Sequence, residues 1–359
     1  MRPTGRVRHA GSMTGDQETA LTIRPLDPGS AAEVAAVVDL LTAVDAADAP
    51  WRRSTTALGV RQEHLLGWDG DPEPFYPAYL DGTLVAVGGF GMPLRDNLDT
   101  AWVFAVVHPG HRRQGIGTRV LRAMEQLAHD AGRPLLSSYG LDLPACRPFA
   151  ASVGYEPRMQ TVVRRVTFAD LATGAVDAAY EQALGYAADY ELIRVAGPLP
   201  EDLMAGYLAA VAAINDAPRE GLDYGDEVFD AARVRAYEHS RAARGETLYR
   251  VIARHRRTGE FAGHTVVTVD PQRPQWGDQH DTTVVEAHRG HRLGLLVKAD
   301  MMRWLTEVEP ECHELTTSNA ESNTHMIAVN EALGYRVLAR GLAFQRTLPR
   351  SDDRGYRPC

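Results

Sequence analysis

The spacing of apolar residues along this chain alternates between two patterns, and the alternation occurs twice. Short β-rich runs are followed by segments in which apolar residues recur at helical spacing, as Val120, Leu121 and Met124 do. Each half of the chain reads as strand, helices, hairpin, long strand, loop, helix, strand, helix and strand. This order predicts an α/β protein in which helices flank a mixed sheet.

The predicted elements fall at matching places in the two halves. Each half opens with a strand before an Ala-rich helix, continues with a hairpin, and has a glycine-tyrosine pair before its last strand. We place the opening strands at 21–25 and 190–195, the hairpins at 78–90 and 249–269, the next strands at 135–139 and 314–317, and the last strands at 161–167 and 341–347.

A motif that the halves share lies between the long strand and the next helix. The segment V-V-H-P-G-H-R-R-Q-G-I-G at 106–117 aligns without gaps with T-V-V-E-A-H-R-G-H-R-L-G at 283–294. The alignment places Arg112 on Arg289 and Gly117 on Gly294. Because the surrounding elements repeat as well, the sequence indicates two similar domains in one chain.

The length of the chain supports this division. Its 359 residues are more than one ordinary hydrophobic core holds. The hydrophobic fraction of 44% and the charged fraction of 24% are typical of a soluble globular protein. We predict a disordered segment at 1–19, domains at 20–168 and 189–348, a linker at 169–188 and a tail at 349–359.

Charge, hydropathy and cysteine spacing argue against several classes of protein. The formal net charge of −9 gives no support for nucleic-acid binding. No apolar run is long enough to span a bilayer and no signal-peptide core is found, so we expect no membrane partner. Cys146, Cys312 and Cys359 lie far apart without metal-ligand spacing. This favours the cytoplasm and gives no reason to expect a metal.

The glycines after the first long strand can be compared with three phosphate-binding patterns. A Walker loop requires a lysine where this chain has Ile116, and a dinucleotide-binding loop requires a third glycine where it has Val120. The pattern [RQ]-x-x-G-x-[GA] between a strand and a helix is satisfied by Arg112, Gly115 and Gly117. With its second copy, it resembles the GNAT superfamily (GCN5-related N-acetyltransferases), in the tandem form of mycothiol synthases. A tight turn without a ligand is the alternative.

The resemblance covers roughly residues 20–348 and implies both a fold and a cofactor. The fold would be two tandem GNAT-like domains, each a mixed, mostly antiparallel central sheet flanked by helices. The cofactor would be acetyl-CoA, with its pyrophosphate at a helix N-terminus that glycines allow it to approach. The residues that the resemblance assigns to acetyl-CoA are Val106, Val107, Arg112, Arg113, Gln114, Gly115, Ile116, Gly117 and Thr118 in the first half, and Val284, Val285, Arg289, Gly290, His291, Arg292, Leu293, Gly294, Asn319 and Asn323 in the second.

The two copies depart from the family pattern in different places. In the second half Arg292 replaces the first glycine, where its side chain could point outward or add a phosphate contact. Family members often have Asn and Tyr on the following helix. The second half has Asn323 and Asn330 at those positions, whereas the first half has Leu143 and Ala150. We therefore expect the chemistry in the second half, and cofactor binding with a structural role in the first.

The resemblance implies direct attack of an amine on the thioester, with a carboxylate as base and a backbone N–H as oxyanion donor. We name Asp281 as the candidate base and Glu286 as the second candidate; for Asp281 a surface ion pair or a strand-end cap is the alternative. The Val285 N–H is the candidate oxyanion donor. Candidate acids or proton relays are Tyr335, His264 and His280.

Together these residues predict an acetyl-CoA-dependent N-acetyltransferase that acts on a primary amine of a small molecule. An acidic segment at 216–227 would favour a cationic amine, although a solvated loop is equally consistent with it. Acetylation of a protein lysine or N-terminus, and noncatalytic sensing of acyl-CoA, are the alternatives. Because two domains in one chain can reproduce the arrangement of a dimer, we expect a monomer or a weak homodimer.

Overall fold

The structure, a computed structural model, describes residues 20–349 as two halves with the same order of elements. The first half consists of β1 (Leu21–Ile23), α1 (Ala31–Asp48), α2 (Ala57–Leu66), β2 (Phe75–Leu80), β3 (Thr83–Gly91), β4 (Thr100–Val107), α3 (Ile116–Asp130), β5 (Leu135–Leu141), α4 (Cys146–Ser152) and β6 (Glu156–Thr167). A connecting helix, α5 (Ala175–Leu184), follows. The second half consists of β7 (Tyr190–Ala196), α6 (Glu201–Ala212), α7 (Ala231–Ala243), β8 (Thr247–His255), β9 (Phe261–Val269), β10 (Trp276–Val284), α8 (Leu293–Val308), β11 (Glu314–Ala320), α9 (Thr324–Ala332) and β12 (Arg336–Thr347).

The twelve strands of the described residues form one continuous sheet. Their order is β1-β2-β3-β4-β5-β12-β6-β11-β10-β9-β8-β7. Only β4 with β5 and β10 with β11 are parallel neighbours, and α3 and α8 make the crossover connections that parallel pairs require. All other neighbours are antiparallel. The predicted α/β fold with a mixed, mostly antiparallel sheet is confirmed.

The two halves exchange their last strands at the centre of the sheet. β12, from the second half, pairs with β5 of the first, and β6, from the first half, pairs with β11 of the second. β6 and β12 also pair with each other. The predicted domains at 20–168 and 189–348 are therefore joined by backbone hydrogen bonds across their common boundary.

The helices α3 and α8 are equivalent in the two halves but differ in burial. α3 buries one apolar face, which includes Val120 and Met124, and leaves its other face partly exposed. α8 is buried along most of its length from Leu293 to Leu305, because α5 packs on the face that α3 leaves exposed. The predicted linker at 169–188 thus contains a helix that belongs to the core of the second half.

Each half sends a loop onto the other, on the face of the sheet opposite to α3 and α8. The loop after α1 reaches the second half, where Arg53 forms an ion pair with Asp278. The loop after α6 reaches the first half, where Asn97 Oδ1 accepts a hydrogen bond from the Gly225 N–H at 2.6 Å. The crossing loops enclose a space between the halves.

The apolar patterns located the strands better than they located strand ends. β6 and β12 each begin five residues earlier than predicted, because the exchanged strands pair along polar stretches that carry no apolar alternation. The predicted disordered segment at 1–19 and all but the first residue of the predicted tail at 349–359 lie outside the described residues. Among residues 20–349, no helix has both the length and the apolar character needed to cross a bilayer.

Candidate functional site

In both halves a pair of parallel strands separates part-way along its length. β4 pairs with β5 only from Thr100 to Trp102, and β10 pairs with β11 only from Trp276 to Asp278, although all four strands continue further. We term these separations the first fork and the second fork. Beyond each fork, backbone groups that face the gap lack a partner strand and can bind an extended ligand as a further strand would.

The first fork opens into a groove of about 640 Å³, which we term the first groove. Its walls are the end of β4, the start of α3, the free part of β5 and α4. The first N–H groups of α3 have no partner within the helix and carry partial positive charge, which suits an anionic ligand. The groove is lined by all the residues predicted for acetyl-CoA in the first half except Gln114, namely Val106, Val107, Arg112, Arg113, Gly115, Ile116, Gly117 and Thr118.

The loops before α3 and α8 share a backbone conformation but place their glycines differently. In the first loop Arg113 and Gly115 have positive φ angles of 64° and 76°. In the second loop Gly290 and Arg292, at the equivalent positions, have angles of 88° and 54°. Each loop therefore holds one arginine in the left-handed region, at a cost of about 1 kcal/mol. The Arg292 guanidinium stacks on the Tyr186 ring at 4.1 Å, so the segment after α5 holds it.

The arginines that we expected at phosphates, Arg112 and Arg289, fasten their loops instead. Arg112 forms two hydrogen bonds to Asp48 at the end of α1, at 2.8 and 2.7 Å. Arg289 forms one hydrogen bond to Asp216, after α6. Each arginine also donates from Nε to the carbonyl five residues earlier, at the end of the strand. Arg113 is left as the exposed arginine of the first loop.

This geometry agrees with the comparisons to known proteins. The first half matches the acetyltransferase (GNAT) family model over residues 40–151. The chain resembles the structure of a tandem GNAT protein from the clavulanic acid biosynthesis pathway, with a TM-score of 0.75 and 24% identity over 93% of this chain and 100% of that one. The first half therefore carries the match to the GNAT family, and the chain as a whole has the fold of a tandem GNAT protein.

A second GNAT structure supports the fold over nearly the same length. It is a GCN5-related N-acetyltransferase from Sphaerobacter thermophilus, with a TM-score of 0.64 and 17% identity over 92% of this chain and 97% of that one. A comparison with curated protein sequences gives no significant match. The GNAT family match supports acyl-CoA-dependent acetyl transfer in general, and the first groove contains a helix N-terminus of the kind that binds phosphate groups.

Polar side chains fill the space beside the second fork, whereas the equivalent space beside the first fork is open. Lys298 of α8 stands at the position of Leu121 in α3, and Asn330 of α9 stands at the position of Ala150 in α4. Both polar side chains are fully buried. Within residues 20–349 Lys298 forms no ion pair, and its Nζ lies 4.7 Å from the centre of the Tyr335 ring. Burial lowers the pKa of Lys298 to about 7.

The other polar residues predicted at the second fork serve the fold. Asn323 caps α9, since its Oδ1 accepts a hydrogen bond from the Met326 N–H at 3.1 Å. Asn319 donates from Nδ2 to the Ala320 carbonyl at 2.8 Å. Tyr335 is buried beside Lys298, and burial raises the pKa of its hydroxyl far above the usual value. None of the three lines the first groove or the cavity that lies between the two halves.

The expectation for the Val285 amide was wrong. This N–H donates to the Ala262 carbonyl at 2.9 Å, because the pairing of β10 with β9 extends one residue beyond the strand. Since N–H groups along a strand point alternately to its two sides, the amide that faces the second fork is that of Val284. By the same alternation, Val107 faces the first fork. Glu286 is exposed in the turn that follows β10.

A second cavity, of about 460 Å³, lies between the two halves, and we term it the central cavity. The first half contributes the loops after α2 and β3 and the start of β4. The second half contributes α6, its crossing loop, α7 and β8 to β10. The cavity reaches the first fork at Trp102, the last residue of β4 that pairs with β5. Cavity and groove therefore follow one another along β4, with Thr100 and Trp102 in the cavity and residues 104–107 in the groove.

The lining of the central cavity is strongly acidic. Its carboxylates are Asp69, Asp71, Glu73 and Asp96 from the first half and Glu227 and Asp281 from the second, against the guanidiniums of Arg233 and Arg250. Arg233 alone binds three of the acids, at 2.6, 2.7 and 2.6 Å. Such an excess of negative charge attracts cations. In the described part of the chain, no three His, Cys, Asp or Glu side chains are arranged to hold a metal ion.

Two of these carboxyl groups change protonation near neutral pH. Burial, and to a lesser extent the neighbouring Glu63, raises the pKa of Glu73 to about 7. Burial also raises the pKa of Asp281 to about 6, against the opposing effect of Arg233. Asp281 lies in an irregularity of β10, where the register with β9 shifts between Gln279 and Thr282. The candidate base from the sequence thus lies in a cavity that suits an acceptor.

Both candidate histidines are neutral, but His264 is fully buried and lines the central cavity, whereas His280 is half-buried and does not line it. Its Nδ1 is 3.1 Å from the Tyr207 hydroxyl, while its Nε2 has no partner within residues 20–349. Burial and Arg250 lower the pKa of His264 to about 3. His280 is hydrogen-bonded to Tyr237, and burial holds its pKa well below the usual value.

Three residues of the site have no recognisable pattern around them in the sequence. Glu73 lies in a short polar loop before β2, Arg233 lies on an ordinary charged helix, and Trp102 is one aromatic among the apolar residues of β4. They come together only because the two halves close on one another. No local pattern could have identified them.

Proposed function

We propose that the protein is an acetyl-CoA-dependent N-acetyltransferase that transfers an acetyl group to a primary amine of a small molecule. Acetyl-CoA would lie in the first groove, with its pyrophosphate at the N-terminus of α3 and its thioester towards the first fork. The amine would lie in the central cavity. The observation that carries the proposal is that cavity and groove lie next to one another along β4, with Trp102 in the cavity and Phe104 in the groove.

The proposal places the chemistry in the first half, whereas the sequence led us to expect it in the second. At the second fork, Asp278 takes the place of Trp102 and is covered by Arg53 of the crossing loop. On the other face of the sheet, Lys298 and Asn330 occupy the space that is open in the first half. An acyl chain and an acceptor can therefore reach the first fork more readily than the second.

Glu73 is the carboxyl group that we assign as general base. A Cβ atom on Gly91 would lie 2.9 Å from Glu73 Cγ, and Gly91 pairs with Trp102. Glu73 is thus about one strand spacing, roughly 4.8 Å, from the fork. A carboxyl group with a pKa near 7 can take the proton of the substrate ammonium at neutral pH. The amine nitrogen then attacks the carbonyl carbon, the C–S bond breaks, and the departing thiolate of coenzyme A takes the second proton that the nitrogen loses.

The central cavity also helps to distinguish the proposal from two alternatives, a protein acetyltransferase and a noncatalytic acyl-CoA sensor. A protein substrate would require an open channel for a peptide, but this cavity is walled by both halves and by the crossing loop after α6. A small amine fits such a cavity better. A noncatalytic sensor would bind acetyl-CoA in the first groove without any requirement for acidic groups at the fork.

The test is thiol release from acetyl-CoA with small amines, with peptides that carry lysine and N-terminal amines, and without acceptor. We expect release with small amines only, at a rate that rises with pH through about 7, because the base must be deprotonated. Glu73→Gln should lower kcat by about 100-fold and remove this rise, with acetyl-CoA binding by calorimetry unchanged. Release with peptides alone would favour a protein acetyltransferase. Tight binding with no release would favour a sensor.

A further inference from the structure

The central cavity extends well beyond the first fork. Trp102 on β4 and Asp281 on β10 both line it, although four strands lie between β4 and β10 in the sheet. Five strand spacings of about 4.8 Å amount to roughly 24 Å measured along the sheet. Only the curvature of the sheet brings both residues to one cavity. Followed along the sheet, the first fork and Asp281 lie in two separate parts of the lining of this cavity.

The carboxylates in these two parts of the lining have different charged neighbours. Near the first fork, Glu73 interacts with Glu63 and Arg244. In the other part, the charged neighbour of Asp281 is Arg233, which already binds three carboxylates. Within residues 20–349, Asp281 has neither an ion pair nor a hydrogen bond to its carboxylate. Asp281 is partly buried, and a carboxylate that has lost water without gaining a partner is costly, so a cation at this position would be favoured.

A second polar group near Asp281 also lacks a partner. The side chain of His264 is fully buried and lines the cavity, and its Nε2 makes no hydrogen bond within the described residues. If Nδ1 donates to the Tyr207 hydroxyl, the lone pair of Nε2 is free to accept an N–H. Both Arg250 and Asp281 act on the Tyr207 and Tyr237 hydroxyl groups. Arg250 is itself paired with Glu238 at 3.1 Å, which leaves Asp281 as the unpaired charge. Carboxylate, imidazole and aromatic rings together are suited to an ammonium group.

Building on the proposed function, we infer that the acceptor is a diamine or larger polyamine whose second ammonium is bound by Asp281 and His264, away from the first fork. The amine at the fork is acetylated, and the second ammonium sets the position of the molecule. Asp281 therefore binds substrate and does not transfer the proton. This differs from the role that the sequence suggested for it, and the two roles have different kinetic consequences.

The test uses straight-chain α,ω-diamines of increasing length, each compared with the monoamine of the same length. Binding is measured by calorimetry and turnover by thiol release from acetyl-CoA. In the wild-type protein, diamines of sufficient length should bind more tightly and show a lower KM than the matching monoamines. Asp281→Asn, which keeps the size of the side chain, should raise the KM for those diamines by about 30-fold and leave kcat and all monoamine constants unchanged.

Asp226→Asn is the matched control. Asp226 lies in the same acidic segment as Glu227 but pairs with Arg219 and does not line the cavity, so its substitution should change neither class of amine. Equal binding of diamines and monoamines would overturn the inference. So would an equal loss of kcat for both classes in Asp281→Asn, since a base serves every acceptor. Tight, Asp281-dependent binding of diamines without thiol release would support the dication site and overturn the proposed acetyltransferase.

Discussion

The first fork and the second fork have the same backbone and opposite contents. Each separates after three paired residues, and each is followed by a loop in which two residues have positive φ. The first opens into a groove and a cavity, whereas the second is filled by Lys298 and Asn330 on one face and closed by Arg53 and Asp278 on the other. A repeated fold can thus keep the backbone of a site while a few side chains determine whether the site is open to a ligand.

Packing explains why the backbone of the second fork keeps the same geometry although the fork is filled. α8 is buried between the sheet and α5, and the strands that flank the fork are joined to the first half through the exchange of β6 and β12. Changes in this region would affect the common core. The second half also supplies α6, α7 and the crossing loop that wall the central cavity. Under the proposed function, the second half therefore contributes the walls of the acceptor site.

The largest expected effect comes from placing a negative charge at the start of α3. Gly117→Asp should abolish acetyl-CoA binding, with a loss of about 1,000-fold or more, because the carboxylate would face the pyrophosphate. Gly294→Asp, the same change at the start of α8, should leave binding intact. Calorimetry with acetyl-CoA measures both.

The two positions leave similar room for a Cβ atom but differ in burial, because Gly117 is partly exposed and Gly294 is buried, so unfolding curves accompany the binding measurements. A Cβ atom would meet its nearest neighbour at 3.4 Å in the first case and at 3.8 Å in the second, so both positions accommodate a side chain. A carboxylate in the first turn also stabilises a helix. Binding that survives Gly117→Asp and is lost in Gly294→Asp would reverse the comparison of the forks.

A smaller effect is expected from making the second fork resemble the first. Lys298→Leu copies the residue at Leu121 and should raise the free energy of unfolding by about 2–4 kcal/mol at pH 6. Because the folded protein holds the pKa of Lys298 at about 7, below the usual 10.5, the unfolded chain binds the proton more tightly. The penalty in the wild-type protein is therefore complete below pH 7 and disappears as the pH rises towards 10.5.

Denaturant unfolding at several pH values measures this gain, and thiol release should be unchanged by Lys298→Leu. If transfer were lost while stability rose, the second fork would take part in the reaction. Such a result would return the chemistry to the half in which the sequence placed it.

The sequence predicted the backbone elements of the site better than the roles of individual side chains. The repeat of 106–117 at 283–294 located both loops correctly, because glycines and helix starts are local features. Asn323 and Arg112 looked like cofactor ligands, but one caps a helix and the other fastens a loop. Glu73 and Trp102 were missed, since their roles arise from contacts between halves that no local pattern records.

The smallest expected effect is the difference in stability between glycine substitutions at the two arginines that have positive φ. Replacing Arg113 by Gly relieves the left-handed strain and should stabilise the protein by up to about 0.5 kcal/mol, after the higher entropy of glycine in the unfolded chain is subtracted. Replacing Arg292 by Gly relieves the same strain but loses the stack on Tyr186, so its net effect should be near zero.

The same two variants should also differ in acetyl-CoA affinity, and here the more stable variant should be the weaker binder. Arg113→Gly removes an exposed cation beside the first groove and should weaken acetyl-CoA binding by about three- to fivefold, since an exposed charge contributes little at moderate salt. Arg292→Gly should leave the affinity unchanged because its guanidinium is held by Tyr186 beside the filled fork. Unfolding curves and calorimetry at two salt concentrations measure both effects. A weaker affinity in Arg292→Gly alone would mean that the second loop holds the phosphates, despite the side chains that fill the fork behind it.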